Sequence, residues 1–222
     1  ENSSTQILSD TEFTKKLLAV YNQKIKDYER FEFKKQLTNN LFSMVNSIQG
    51  VKSITIFPLS GNEVISTDLL KKNMDFHTQS WYQNVLKANG KAVWLKTQQG
   101  GYVSDQPTPV FGLGRVLKDS NDKPVSVLFF ELDSAVLTEN ISSIQLGGTG
   151  KLYIVDQQNN IVDALDSKQI GKKFALSLQN KGKKSAGYEF LTDQGEQKLV
   201  VYDASKQNGW KLIGMVNTEE IV

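Results

Sequence analysis

Residues 109–132 read PVFGLGRVLKDSNDKPVSVLFFEL, and this stretch decides the fold. Two apolar runs of strand length, 109–118 and 123–132, flank the polar tetrapeptide Asp119-Ser120-Asn121-Asp122. Asp, Asn and Ser favour turns because their short polar side chains hydrogen-bond to nearby backbone groups. The stretch therefore predicts two long strands joined by a polar turn.

Further strands are predicted on both sides of this pair. Upstream, residues 51–67 predict a hairpin that turns at Ser60-Gly61-Asn62, and residues 91–96 predict one more strand, which makes five strands by Leu132. A short helix over 77–88, ending at Asn89-Gly90, and a helix over 133–141 are also predicted. A second, smaller set of strands follows at 151–156, 161–165, 188–192, 197–204 and 209–216.

A long helix is predicted before the first strand. No proline or glycine interrupts Ile7 to Ile48, and apolar residues recur there at helical spacing. One unbroken helix would be roughly 60 Å long at 1.5 Å per residue, so we expect a break near Asp27 to Arg30. The run Ser9-Asp10-Thr11-Glu12 is typical either of a helix start or of a solvated surface stretch.

The predicted fold class is α+β, with a long N-terminal helix packed on two successive antiparallel-sheet lobes. The expected organisation is a helix over 1–50, one lobe over 51–140 and a second lobe over 141–222. The chain begins at Glu1 without the pattern of a signal peptide, and we expect it to be a piece of a longer protein.

The composition excludes several classes of function. With 26 basic and 24 acidic side chains, the net charge of +2 is too balanced for a nucleic-acid binder held by phosphate contacts. His77 is the only histidine and cysteine is absent, so multi-histidine metal centres, zinc-protease motifs and His-Cys dyads cannot form. The sequence contains no apolar run of 18 residues that could span a bilayer. We expect no catalytic residues, no metal and no cofactor.

Two glycine-rich motifs resemble phosphate loops only superficially. Gly112-Leu113-Gly114 lacks the third glycine of a dinucleotide fingerprint. Gly147-Gly148-Thr149-Gly150 lacks the Walker spacing and its Lys-Ser/Thr pair. The second motif is interpreted as a connector before the strand that begins at Lys151. Carboxylates are abundant, but no pair is singled out as a glycosidase site.

Six segments together resemble the double Cache sensor module, a pair of PAS-like lobes found outside the membrane in bacterial receptors. The resemblance covers most of the chain and is nearest to sensor histidine kinases of the YesM type. It rests on the order and spacing of YERFEFKKQLTNNL (28–41), SITIFPLSGNEVIST (53–67), WYQNVLKANGKAVW (81–94), PVSVLFFELDSAVL (124–137), LGGTGKLYIVDQQNNIV (146–162) and NGWKLIGMVNTEEI (208–221).

The resemblance implies an extracellular ligand-binding domain between two transmembrane helices of a cell-membrane receptor, a homodimer when full length. The ligand would be a small molecule such as a sugar, an amine or an organic acid, sensed directly or through a solute-binding protein. Ligand binding would shift the long helix or the final strand. A histidine kinase, a chemoreceptor and a pure protein-interaction module with an empty pocket remain open, with a secreted hydrolase as a distant alternative.

The resemblance also implies a ligand pocket in the first, membrane-distal lobe. Aromatic walls and one or two charges suit a small-molecule site. The residues that the resemblance implies are Trp81, Tyr82, Trp94, Tyr102, Asp105, Arg115, Phe129 and Glu131.

Structural roles are also open for some of these residues. Trp81 fits pocket and core equally well, whereas Tyr82 lies about 100° around the helix and is the better contact candidate. Glu131 shares a strand face with Phe129 and would pair either with a ligand or with Arg115. His77 is expected at the surface.

One position departs from the pattern of amino-acid-binding members. Those members carry an arginine two residues before the tryptophan, where its guanidinium holds a carboxylate in a bidentate pair. This chain has Gln79 there. A neutral amide cannot make that charge-assisted bond, which argues against the usual mode of amino-acid binding.

Overall fold

The structure is a computed structural model that describes residue 7 and residues 10–61, 63–142, 144, 146–176, 178 and 185–221. It divides into two compact units, one of residues 1–95 and 99–133 and the other of residues 96–98 and 134–222. We call them the first and the second unit. Their boundary falls between Asp133 and Ser134, seven residues before the expected one.

Two helices open the first unit. Helix α1 (Thr11–Tyr21) begins at Asp10, whose carboxylate accepts a hydrogen bond of 3.0 Å from the backbone N–H of Phe13 and caps the free amides of the first turn. Helix α2 (Asp27–Ser47) follows after a break. The expected break lies at residues 22–26, slightly earlier than predicted. There Arg30 Nη2 donates to the carbonyl of Asn22 (3.1 Å).

The sheet of the first unit has five strands in the order β2-β1-β5-β4-β3. Its strands are β1 (Val51–Pro58), β2 (Ile65–Ser66), β3 (Val93–Gln98, of which residues 96–98 are grouped with the second unit), β4 (Val110–Lys118) and β5 (Pro124–Asp133). Strands β4 and β5 pair antiparallel from Val110 opposite Asp133 to Lys118 opposite Pro124, as the opening stretch predicted. The central strand β5 pairs with β1 on its other side.

Alternate side chains of β5 enter two different cores. Leu128 and Phe130 face α1 and α2, together with Leu17, Leu37 and Leu41. Val127 and Phe129 face the opposite side, which is covered by helix α3 (Ser80–Lys87) and by a short 3₁₀ helix (Phe76–Thr78). Burial of each such side chain contributes about 1.5 to 3 kcal/mol, so two-sided burial makes β5 the centre of the unit.

The second unit repeats the same strand order. The strand order of its sheet is β7-β6-β10-β9-β8. When the strands are numbered along the chain within each unit, the order in both sheets is second, first, fifth, fourth, third. Helix α4 (Ala135–Ser142) precedes the sheet, and 3₁₀ helices lie at Ser167–Gln169 and Thr218–Glu220. The strands are β6 (Lys151–Val155), β7 (Ile161–Ala164), β8 (Ala186–Asp193), β9 (Glu196–Ala204) and β10 (Lys211–Asn217).

The predicted α+β class and the two sheets are confirmed. The three-way domain division stays a prediction, although α4 belongs to the second unit. Two residues of the predicted elements lie outside the described residues: Ser9 of the predicted helix start and Asn62 of the predicted first turn. No described helix combines the length and the hydropathy that crossing a bilayer requires.

The glycine loop at 147–150 holds the C-terminal segment of the second unit. The backbone N–H of Thr149 donates to the carboxylate of Glu220 (3.1 Å), and the hydroxyl of Thr149 accepts from the backbone N–H of Asn217 (3.2 Å). A Cβ at Gly147, whose φ is +65°, would come within 2.6 Å of that carboxylate. The motif is thus a connector, as predicted, that also binds a carboxylate of its own chain.

We expect Thr149→Ala to raise the pKa of Glu220. In the native protein, hydrogen bonds from the side chain and backbone of Thr149 hold this pKa below its usual range. Because these bonds favour the ionised form, their stabilising effect is complete above the pKa of the unfolded chain and is lost as pH falls through the lower folded pKa. A ¹³C NMR titration of the Glu220 carboxyl measures the shift, with Thr192→Ala as a control on β8. Equal pKa values in Thr149→Ala and the native protein would contradict the assignment.

Candidate functional site

The candidate site lies in the first unit, between α3 and the sheet face that carries Phe129. Helix α3 buries Trp81, Tyr82 and Val85 against this face. The ring centroid of Trp81 lies 4.3 Å from that of Phe129, and Tyr102 lies 5.8 Å from Phe129. Tyr82 lies beside Trp81 at 5.7 Å, so four of the predicted aromatic residues form one cluster.

Two aromatic residues that were not predicted complete this cluster. Phe57 of β1 lies 5.0 Å from Phe76 and 5.9 Å from Trp81, measured between ring centroids. Alternation along SITIF (53–57) could have identified Phe57, since Ile54 and Ile56 face the helices α1 and α2 and Phe57 faces the other way. We call Phe57, Phe76, Trp81, Tyr82, Tyr102 and Phe129 the aromatic cluster.

Two glycines of β4 allow the aromatic cluster to pack this tightly. A Cβ at Gly112 would lie 2.7 Å from the ring of Phe129, and a Cβ at Gly114 would lie 2.4 Å from Val85 Cγ2. Both neighbours are buried and cannot move aside easily. The motif Gly112-Leu113-Gly114 therefore allows the ring of Phe129 and helix α3 to pack closely on β4, which agrees with its rejection as a phosphate loop.

Glu131 is fully buried at the edge of the aromatic cluster and is held entirely by the protein. Its Oε1 accepts from the backbone N–H groups of Tyr102 and Val103 (2.9 Å for Val103). Its Oε2 accepts from the hydroxyls of Ser53 (2.7 Å) and Ser104. Four donors fill the acceptor positions of the carboxylate, and a buried charge needs such partners.

Glu131 thereby fastens the loop at 99–109 to the sheet. The same loop is tied on its other side, where Lys71 Nζ donates to the carbonyl of Gly101 (2.7 Å) and Gln106 Nε2 donates to Asp68 (2.9 Å). A Cβ at Gly101 would come within 2.1 Å of the Ser104 carbonyl, so only glycine fits this turn. The loop and the carboxylate form one polar unit beside the aromatic cluster.

Trp94 and Arg115 lie on the opposite face of the sheet. Trp94 packs with the core that faces α1 and α2, and its ring is stacked on Phe111 at 6.1 Å. Arg115 lies on the same face of β4 as Leu113 and Leu117, which pack against α1 and α2. Its Nε donates to the carbonyl of Gly90 (3.0 Å). The alternative of an Arg115–Glu131 ion pair is therefore wrong, because the sheet separates the two side chains.

The remaining predicted positions lie near the surface. Asp105 is exposed in the loop that Glu131 fastens, and His77 is exposed, as expected, with its ring edge on Tyr82 at 4.9 Å. Gln79 is half-buried and immediately precedes α3. The role of all eight predicted residues in ligand binding stays a prediction.

The hydroxyl of Tyr82 is a buried polar atom inside the aromatic cluster. Its side chain is only 1% exposed, and its hydroxyl has no hydrogen-bond partner among the described residues. Burial raises the pKa of Tyr82 to about 12. A buried hydroxyl without a partner costs free energy, so it marks a place where a ligand or a water molecule would be stabilised.

Three cavities at the surface of the described residues lie away from the aromatic cluster. These cavities, of about 390, 410 and 420 Å³, are lined by neither the aromatic cluster nor any of the eight predicted residues. In the described conformation the side chains of the aromatic cluster fill the space between α3 and the sheet. A ligand at this place would need to displace part of them.

Residues 2–222 match the sequence profile of the Cache domain family in its double Cache form. The chain belongs to the Cache domain family. Double Cache domains are extracellular, ligand-binding parts of membrane receptors and are not catalytic. A chain with one histidine and no cysteine agrees with membership of a family that has no catalytic function. A comparison with curated proteins found no match.

Solved Cache domains share this fold at low sequence identity. The chain resembles the extracellular domain of rpHK1S-Z16, a protein assigned as a histidine kinase, with 12% identity and a TM-score of 0.72 over 99% of this chain and 88% of that one. It also resembles the ligand-binding domain of the Pseudomonas aeruginosa PAO1 amino acid chemoreceptor PctB in complex with L-Arg (16% identity, TM-score 0.67, covering 98% and 88% of the two chains).

A third solved Cache domain has a different ligand. The ligand-binding domain of the amino acid chemoreceptor PctC of the same organism, in complex with GABA, shows 13% identity and a TM-score of 0.65, covering 96% of this chain and 93% of that one. At these identities the likeness establishes the shared fold.

We expect Glu131→Ala to lower the free energy of unfolding by about 3 to 5 kcal/mol, because it leaves buried donors unpaired. Glu131→Gln should cost only about 1 kcal/mol, since its carbonyl can accept from the two N–H groups while the serine hydroxyls rotate to accept from its amide. Urea denaturation measures both, with Asp105→Asn of the same loop as a control. An alanine variant as stable as the native protein would show that Glu131 does not fasten the loop.

Proposed function

We propose that this Cache domain is the extracellular ligand-sensing part of a transmembrane sensor histidine kinase, with its ligand bound at the aromatic cluster of the first unit. The observation that carries the proposal is the Tyr82 hydroxyl, buried without a partner among the described residues inside a cluster of six aromatic rings. Rigid rings with a few polar atoms suit a small molecule that is largely apolar or carries a hydroxyl.

The contacts of the aromatic cluster limit the chemistry of the ligand. Glu131 already accepts four hydrogen bonds, so it is not available to an ammonium group unless the loop at 99–109 is released. Gln79 provides no charge for a carboxylate. A sugar or another neutral nutrient therefore fits better than a free α-amino acid, although PctB and PctC are amino acid chemoreceptors.

Two alternatives use the same fold. In a chemoreceptor the binding domain would be alike and only the output domain would differ, as the likeness to PctB illustrates. In a protein-interaction module the aromatic cluster would stay closed and a solute-binding protein would be the partner. Phe129 packs tightly against Trp81 and Gly112, so the aromatic cluster is closed. This packing favours a protein-interaction module over an enzyme. Homodimerisation and an anchorage in the cell membrane also belong to this proposal.

A ligand of the first unit should stabilise the native protein and depend on Tyr82. At a concentration 100 times its dissociation constant it would add about 2.7 kcal/mol, a clear rise in melting temperature. The test is a thermal-shift screen of sugars, amines, organic acids and the twenty amino acids. Tyr82→Phe should leave the free protein within about 0.5 kcal/mol of the native stability and weaken the ligand about tenfold.

The matched control for this screen is Tyr153→Phe in the second unit, which should leave the response unchanged. A ligand whose affinity is equal in Tyr82→Phe and the native protein would place the site elsewhere. A screen without any hit, together with binding of a purified solute-binding protein, would favour the interaction module.

A further inference from the structure

Strand β8 forms an open edge of the sheet in the second unit. It pairs with β9 along its whole length, from Ala186 opposite Asp203 to Asp193 opposite Glu196, without a register shift. Within the described part of the chain, no strand continues the sheet beyond β8. The other edge of the sheet, at β7, is covered by the segment at 172–174. The N–H of Ile161 donates to the carbonyl of Lys172 (2.8 Å), and the N–H of Phe174 donates to the carbonyl of Asn159 (2.9 Å).

The outer face of β8 carries exposed aromatic side chains. Tyr188 and Phe190 are 68% and 63% exposed, and their ring centroids lie 6.2 Å apart. Val201 lies opposite Tyr188 on β9 and is 50% exposed, so the apolar strip continues onto the next strand. An exposed apolar strip of this kind is typical of an interaction surface.

The turn before β9 fixes which backbone groups of β8 face outward. Gln194 and Gly195 have φ values of +52° and +86°, as the two central residues of a type I′ hairpin turn do. Asp193 and Glu196 are then a hydrogen-bonded pair, and alternate residues of β8 bond to β9. The N–H and C=O groups of Tyr188 and Phe190 therefore point away from β9, towards the open edge.

The edge has few of the features that keep strands apart, since its two charged residues, Glu189 and Asp193, lie on the face opposite Tyr188 and Phe190. Soluble proteins protect edge strands with lysine, proline, bulges or very short strands. Strand β8, AGYEFLTD, has eight residues, no lysine, no proline and a regular register. We propose that β8 pairs antiparallel with β8 of a second copy of this chain about a two-fold axis, so that two five-stranded sheets become one of ten strands.

The sequence of β8 is complementary to itself. With Phe190 on the two-fold axis, the two Phe190 side chains meet, Glu189 lies opposite Leu191, and Gly187 lies opposite Asp193, so no like charges oppose each other. A register centred on Glu189 would place two carboxylates together and is disfavoured. The net charge of +2 adds little repulsion between copies. An isologous pair is also the commonest form of homo-oligomer.

The test is the oligomeric state of the purified chain, independent of any ligand. Sedimentation equilibrium from about 10 μM to about 1 mM should show a monomer–dimer equilibrium. Phe190→Lys places a charge on the two-fold axis and should weaken the dimer at least about tenfold. The matched control is Phe31→Lys, since Phe31 is an equally exposed aromatic residue on α2 (62%), and it should leave the dimer intact.

Backbone exchange shows whether β8 itself pairs. The amides of Tyr188, Phe190 and Thr192 should become protected from hydrogen exchange as concentration rises, whereas those of Glu189 and Leu191, already bonded to β9, should be protected throughout. A monomer at all concentrations, a dimer that Phe190→Lys leaves intact in folded protein, or a dimer without protection of Tyr188 and Phe190 would each overturn the proposal.

Discussion

The buried carboxylate of Glu131 is the interaction on which the first unit depends. A charge with no exposed surface is tolerated only with a full set of hydrogen bonds, and the donors here come from β1 and from the loop at 99–109. The loop is thus fixed to the central strand through one side chain. Because the aromatic cluster lies beside this carboxylate, the position of the loop and the packing of the rings are linked.

Much of the fold follows from patterns of the sequence that are local. Every strand and the two short helices were predictable, since each is a short apolar or amphipathic run bounded by turn residues such as Asp119 and Gly195. The helix break was harder to position. Residues 22–26 carry no proline or glycine, and the break is stabilised by a tertiary contact, the bond from Arg30 to the Asn22 carbonyl.

The candidate site was predictable only in part, because it depends on which face of the sheet each residue occupies. Trp81, Tyr82, Tyr102, Phe129 and Glu131 do come together. Trp94 and Arg115 do not, although they lie on neighbouring strands, since a strand assignment alone leaves the face of β3 and β4 undecided. The partners of Glu131 were also missed: a serine within an apolar strand, Ser53, was the only local sign of them.

The two glycines of β4 have an evolutionary implication. Gly114 sets the distance between α3 and the sheet, since a Cβ there would lie 2.4 Å from Val85 Cγ2, whereas Gly112 leaves room for the ring of Phe129. A side chain at Gly114 would push α3 away from the sheet, and a side chain at Gly112 would displace the ring of Phe129, so each substitution would reshape the packing of the aromatic cluster. During evolution the packing of the first unit could in this way be altered at each of the two positions separately.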